Sequence, residues 1–424
     1  MSKKMLVGKA IKFNPSESII NGSIAKKIPM GALTEFQRKI NGFEYSEYNN
    51  GPKFRNGDTV VAKITPCLEN GKTAFVDILD DNEIAFGSSE FIVLRKTEYT
   101  DSEFIYYFAR SPLFRERAIN CMEGTSGRKR VNENTLKNLE FVFPDLPTQK
   151  SIAKVLSDLD TKIELNNRIN RELEAMAKTL YDYWFVQFDF PVRTLSGVEG
   201  YKSSGGKIRY NAELKREIPE GWEVKNIFKC CNVQYGFPFS TDYFNTKGKG
   251  VPVIRIRDIL ENSISNYSFE QNIDAKYLII KGDILVGMDG NFHINYWAKD
   301  GCYLNQRAVK LSEAILPNIY LKYQIEPFIK LREKSVSRTT VGHLSDKDLK
   351  ALSIIIPSKA VLSSISSIYN GLLKRMIQTQ NENQQLSELR DWLLPMLMNG
   401  QVTVKEAEER LSMAAEPSVE YKKG

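Results

Sequence analysis

The chain is poor in residues that hold metals or form cross-links. Its five cysteines, Cys67, Cys121, Cys230, Cys231 and Cys302, show no CxxC spacing, so they read as buried thiols and not as a disulfide framework or a zinc site. Its two histidines, His293 and His343, are too scattered for a metal cluster. No run of about 18 apolar residues occurs, and MSKKMLVGKAIKFNP lacks the apolar core of a signal peptide. A cytoplasmic protein with no membrane contact is expected.

Catalytic signatures are missing as well. An amino-methyltransferase holds its target amine with an Asn/Asp-Pro-Pro-aromatic motif, yet Asn14–Pro15 is followed by Ser16. Gly71–Lys72–Thr73 imitates the end of a phosphate loop, but the glycine needed five residues earlier is Pro66. No Gly-rich strand-to-helix turn suits a dinucleotide or adenosylmethionine, and Asp289 and Glu90 do not read as a nuclease cluster. The chain is expected to bind, not to react, and to hold no cofactor or metal itself.

What is present begins with one stretch, Gln149 to Phe185, that contains neither proline nor glycine. Alternating steps of four and three meet Ile152, Leu156, Leu159, Ile163, Asn166, Asn170, Leu173, Ala177, Leu180 and Trp184. That period of 3.5 predicts a long helix packed lengthwise on another. The partner is in the same chain: 213 residues on, the seam returns as Ile365, Tyr369, Leu372, Met376, Thr379, Asn383, Leu386, Arg390, Leu393 and Leu397. Asparagine in such a seam costs stability and fixes register. The second copy reads as degraded: Arg390 stands in the seam, and Pro395 is expected to end or kink the helix early.

The duplication extends beyond the helices. VNENTLKNLEFVFP (131–144) lines up with LSDKDLKALSIIIP (344–357), and RNGDTVVAKIT is answered by KGDILVGMDG at an offset of 225. GSSEFIVL, with Ser88 a candidate DNA-binding side chain, is answered by LNQRAVKL, and FIYYFARSPLFRERAINC, read as one or two amphipathic helices, by IYLKYQIEPFIKLREK. GTSGRKRVN is answered by VSRTTVGHLS. Between the copies runs a linker whose most flexible point is expected at Ser203–Gly206.

At 424 residues the chain is long enough for two to three domains, and 42% hydrophobic with 26% charged residues is ordinary for a globular protein. The net charge is +7. Residues 148–186 carry six basic and six acidic side chains, and 358–402 and 403–424 net +1 and −1, so the whole excess lies in the blocks and linker. Neutral rods with basic blocks point to a polyanionic partner.

Candidate DNA-binding side chains follow from this pattern. Arg128, Lys129 and Arg130 share a glycine-flanked loop from which guanidinium groups can reach phosphates or guanine edges; a merely solvated turn is the alternative. Arg338, Thr339 and Thr340 hold the equivalent loop, with His343 beside it. Arg255 and Arg257 alternate in VIRIRDI, which would place both on one strand face, to read a groove or form a cross-strand ion pair. Lys63 and Thr65 in AKIT, and Asp289 and Asn291 in MDGN, close strands at matching places. Arg307 either binds or braces the fold. Tyr235 and Phe237 read as core aromatics, with stacking on bases as the alternative.

The order block–rod–block–rod, together with QKSIAKVLSDLDTKIELNNRI, EIPEGWEV, GDILVGMDGN and LNQRAVKL, resembles the DNA-specificity subunit of type I restriction–modification systems across about 400 residues. The first block lacks the PxGW-type opening that the second has. The resemblance implies a mixed α/β (α+β) fold. Its two similar target-recognition domains, 1–146 and 219–357, are separated by two antiparallel coiled-coil helices, 147–186 and 358–402, with a linker at 187–218 and a tail at 403–424. It implies a non-catalytic, cytoplasmic subunit that reads an asymmetric bipartite site on double-stranded DNA and docks two modification subunits. Adenine methylation with S-adenosylmethionine by those subunits is implied, as is ATP- and Mg²⁺-dependent cleavage by up to two added restriction subunits. A coiled-coil scaffold that reads no DNA, and an enzyme acting on DNA alone, are the competing readings.

Overall fold

The structure, a computed structural model, describes residues 2–125, 127–193, 199–202, 208–335 and 342–415. Ser203–Gly206, Arg338, Thr339 and Thr340 lie outside them. The chain divides into two compact units, Met1–Glu164 with Gln385–Gly424, and Leu165–Gln384.

In the first unit an antiparallel sheet has the spatial order Ile11–Phe13, Phe91–Lys96, Thr59–Ala62, Thr73–Phe75. The tight turn before Thr59 needs Gly57, whose φ is +88°. All four residues of Thr59–Ala62 are buried, because the sheet is covered on both faces. Val60 and Val93 enter one core with Phe54 and Phe91, while Val61, Ile92 and Leu94 enter the other. A second sheet, Glu44–Glu47, Ile24–Ile28, Ala85–Gly87, Lys53–Phe54, contains one parallel pairing, between Ile24–Ile28 and Ala85–Gly87. Lys3–Leu6 pairs with Glu140–Phe143.

The second unit repeats this frame. Cys231–Tyr235, Ala308–Glu313, Ile284–Gly287 and Ile294–Tyr296 form the antiparallel sheet in the same order. Asn266–Ser268, Val251–Ile254, Cys302–Leu304 and Leu278–Ile279 form the second, again with its parallel pairing between second and third strands, and Phe244–Asn245 is added at its edge. Glu223–Asn226 pairs with Ser353–Ile356 as Lys3–Leu6 does with Glu140–Phe143.

One difference between the copies has a local cause. In the first unit Asp101 caps Ser102–Arg110 by accepting from the N–H groups of Glu103 and Phe104, and Ser111–Pro112 starts a new helix, Pro112–Asn120. In the second unit Glu326–Pro327 replaces Ser–Pro, and a single helix, Asn318–Ser335, runs through.

The long helices are Leu146–Tyr181, extended by a wider turn over Asp182–Val186, and Lys359–Met398. Within the first unit, Ile152, Leu156 and Leu159 share a core with Leu393, Leu394 and Leu397. Within the second, Asn166 Nδ2 donates to Glu382 (2.9 Å), Thr379 donates to Asn170, and Tyr369 donates to the Ala177 carbonyl (3.4 Å). Numbers fall along one helix as they rise along the other, so the pairing is antiparallel. Ile163, Leu173, Leu180, Leu372, Asn383 and Leu386 are half-buried and Met376 is buried, so no seam side chain is exposed.

Two expectations for the second helix are corrected. It passes through Pro395 to Met398. A proline forfeits one intrahelical bond, and the burial of Leu393, Leu394, Leu397 and Met398 around it offsets that cost. Arg390 is no erosion of the seam: it donates to Asp160 at 2.6 Å, and both are buried.

The end of the segment between the copies is built into the second unit. Ile208–Asn211 pairs with Arg216–Pro219, and Ile218 is buried in the core of the second unit. Among the described residues, all five cysteines are free, with Cys67 half-buried and the others buried.

Candidate nucleic-acid interface

In the first unit, Lys63, Thr65, Ser88, Arg128, Lys129 and Arg130 come together where two central strands end. Lys63 N donates to the Glu90 carbonyl (2.9 Å), Val131 N to the Lys63 carbonyl (2.8 Å) and Thr65 N to the Lys129 carbonyl (3.0 Å). These bonds stitch Lys129 and Val131 to the end of Thr59–Ala62. Ser88 Oγ accepts from Glu90 N at 3.3 Å. Arg128 and Lys129 are exposed, with no ion-pair partner among the described residues. Arg130 is held by Glu90: Nε lies 3.0 and 2.9 Å from the two carboxylate oxygens, and Nη2 lies 2.7 Å from Oε1. The Arg130 guanidinium holds the Glu90 carboxyl below its ordinary range, against the opposing effect of burial. Lys63 Nζ is 3.5 Å from Glu133, whose other oxygen accepts from Asn14 at 2.7 Å.

In the second unit, Arg255, Arg257, Asp289, Asn291 and Arg307 line one cavity of about 410 Å³, together with Ile256, His293 and Asn305. Asp289 is 3.3 Å from Arg307 Nη1 and 2.6 Å from His343 Nδ1. Burial, and then the neighbouring Arg257, lower the Arg255 guanidinium from its ordinary value, as expected where positive charges crowd without enough carboxylate. Behind the lining residue Asn305 the backbone is tightly packed: a Cβ on Gly236 would lie 1.9 Å from the Asn305 carbonyl oxygen.

Strand alternation is not what brings Arg255 and Arg257 together. The strand ends at Ile254, and a short helix, Ile256–Ile259, follows Arg255. Asp258, in the first turn, accepts from the Arg255 N–H at 2.9 Å, which draws the chain out of the sheet. Arg255 Nη2 donates to Ser265 at 3.1 Å, and the cross-strand ion pair offered as the alternative is absent among the described residues. Tyr235 is half-buried and donates to Asp346 at 2.5 Å, and Phe237 packs on Phe239 and Tyr277 with centroids 4.9 and 5.2 Å away.

The two clusters occupy equivalent positions. The isolated bridge between Ile64 and Arg130 is matched by one between Asp289 and His343. Offsets of 225 and 213, the same as those of the flanking strands, relate them. An offset of 217 likewise places Glu90 on Arg307, each just before the strand Phe91–Lys96 or Ala308–Glu313. Reading residue types alone set aside Glu90 as a nuclease carboxylate and His293 as a metal ligand and passed over Glu133 and Asn305, although the repeat itself marks Glu90. It also passed over Lys247 and Lys249, exposed on a turn whose Gly248 and Gly250 have φ of +72° and +89°. Among the described residues no group of three His, Cys, Asp or Glu could hold a metal ion, and no helix is long and apolar enough to cross a membrane.

A duplicated sheet frame with charged clusters at matched strand ends defines a two-domain recognition protein. The description "Type I restriction modification DNA specificity domain" matches residues 3–175 and again 219–388, and the chain belongs to that family. It is 29% identical over 319 residues to the type I restriction enzyme MjaIX specificity subunit of Methanocaldococcus jannaschii, covering 72% of this chain and 70% of the relative. It is 26% identical over 416 residues to the HindI specificity subunit of Haemophilus influenzae, covering 82% and 87%. The type I restriction–modification S subunit from M. genitalium, a crystal structure, shares the fold with a TM-score of 0.53 at 18% identity, covering 94% of this chain and 96% of that one.

Proposed function

We propose that the chain is the non-catalytic DNA-reading subunit of a type I restriction–modification complex, and that each unit reads one half of an asymmetric bipartite site on double-stranded DNA. The observation that carries this reading is the pair of strand-end clusters, equivalent in position and different in residues. One frame supplies two readers, and unlike side chains supply unlike half-sites. Residues 1–146 and 219–357 are the recognition domains, 147–186 and 358–402 the spacer helices, 187–218 the linker and 403–424 the tail.

The helices set the distance between half-sites and dock two modification subunits, which the internal repeat suits because it offers two similar surfaces. S-adenosylmethionine belongs to those subunits, and ATP with Mg²⁺ to up to two restriction subunits. The complex works in the cytoplasm.

Methylation mapping by single-molecule sequencing tests this, in cells expressing the chain with its cognate modification subunit. A split motif with a fixed undefined gap is expected, and exchange of residues 1–146 should change one half only. A continuous or symmetric motif would refute the two-reader arrangement.

A further inference from the structure

We propose that Glu90 is a positioning residue for base readout, holding Arg130 by one edge so that the other edge of its guanidinium is presented to a guanine. This rests on the reading of the first unit as a half-site reader. Glu90 occupies Nε and one N–H of Nη2. The remaining donors, on Nη1 and Nη2, form the parallel pair that matches O6 and N7 of guanine in the major groove.

Three features support this role. The first is exposure: the Arg130 side chain is 51% exposed and that of Glu90 22%, so the carboxylate lies behind the guanidinium. The second is rigidity. Glu90 is fixed through its carbonyl to Lys63 N, and Arg130 through the bridge to Ile64. An arginine already held in one rotamer loses less entropy on binding than a free one.

The third is recurrence. In the second unit, position for position, Arg307 stands where Glu90 does, and Asp289 replaces Ile64 as the carboxylate. An arginine–carboxylate pair thus recurs at the equivalent strand ends, built from different positions of the repeat, at 3.3 Å between Asp289 and Arg307 Nη1, with His343, the counterpart of Arg130, 2.6 Å from the same carboxylate. Exposed ion pairs contribute little to stability, so stability alone does not account for making this one twice.

The rival role for Glu90 is to neutralise Arg130 and weaken DNA binding. Equilibrium binding separates the two, using the full chain with its modification subunit on the cognate duplex and on duplexes changed at each base pair of the half-site that residues 1–146 specify. Arg130→Lys and Glu90→Gln should each lower discrimination at the same G·C pair by roughly 5- to 150-fold, the range of one bidentate contact, and leave other pairs unaffected. Glu90→Asp keeps the charge and shortens the reach, so it should lower discrimination at that pair with unchanged affinity for non-cognate DNA. It also serves if Glu90→Gln fails to fold.

Unaltered discrimination in the Glu90 variants would overturn the proposal, as would tighter binding of Glu90→Gln to every duplex alike or a half-site without a guanine. A wild-type complex that reads no bipartite site would instead refute the function on which it rests.

Discussion

Removing Asp160 should unfold the first unit at a markedly lower temperature. Its carboxylate is 5% exposed and accepts from Arg390 Nη1 at 2.6 Å and from Tyr107 Oη at 2.8 Å. Asp160→Ala leaves a buried guanidinium and a buried hydroxyl facing a void. Breaking a buried pair on one side costs about 3–5 kcal/mol, and the orphaned hydroxyl adds to it. Arg390 keeps a second partner, Asp391, at 3.0 Å, but that carboxylate is 54% exposed and is shared with Arg110 at 2.8 Å. The lower end, ~3 kcal/mol, is therefore expected. For a unit of about 200 residues that is a fall of roughly 6–12 °C.

The same physics predicts near-recovery when the whole network turns apolar. Asp160→Leu, Arg390→Met and Tyr107→Phe together should lie within ~1 kcal/mol of the parent, because no charge is then left buried and unpaired. Differential scanning calorimetry of the single, double and triple variants reads both effects. A loss below ~1 kcal/mol for Asp160→Ala, or a triple variant as damaged as the single one, would refute the reasoning.

Arg255→Ala and Arg307→Ala should each weaken DNA binding and lower the slope of log affinity against log salt by about one, read from titrations at several salt concentrations. An unchanged slope would mean the cavity does not meet the polyanion. Gly236→Ala should cost at least ~1–3 kcal/mol and loosen the second unit around Asn305, because its Cβ would lie 1.9 Å from that carbonyl oxygen; hydrogen exchange should show the opening there. Burial pushes the Cys231 thiol from 9.0 up to about 12. At pH 9 it should hold roughly 500-fold less thiolate than an ordinary thiol. A thiol reagent counted at that pH should find half-buried Cys67 first and Cys231 only after unfolding. Equal rates would refute the assignment.

Most of the fold was legible because its signals are local or repeated. The period of 3.5 in 149–185 encodes a helix with one sticky edge, and its return 213 residues later supplies the partner. The glycine–aspartate turns and apolar runs at an offset of 225 encode the same strand twice. Such patterns survive without knowledge of neighbours, because each residue's environment is set by its own element.

Pairings between distant residues were not legible. Arg390 read as a defect until Asp160, 230 residues away, was placed beside it. VIRIRDI read as one strand, but Asp258 caps the helix that ends it. Glu90 carried no signal by type, since a lone glutamate is ordinarily solvated. The sequence by itself determined the elements, the duplication and the family, all of which rest on local periodicity and repetition. Only the tertiary structure decided which charges meet, because an ion pair depends on distance in space and leaves no period in the chain.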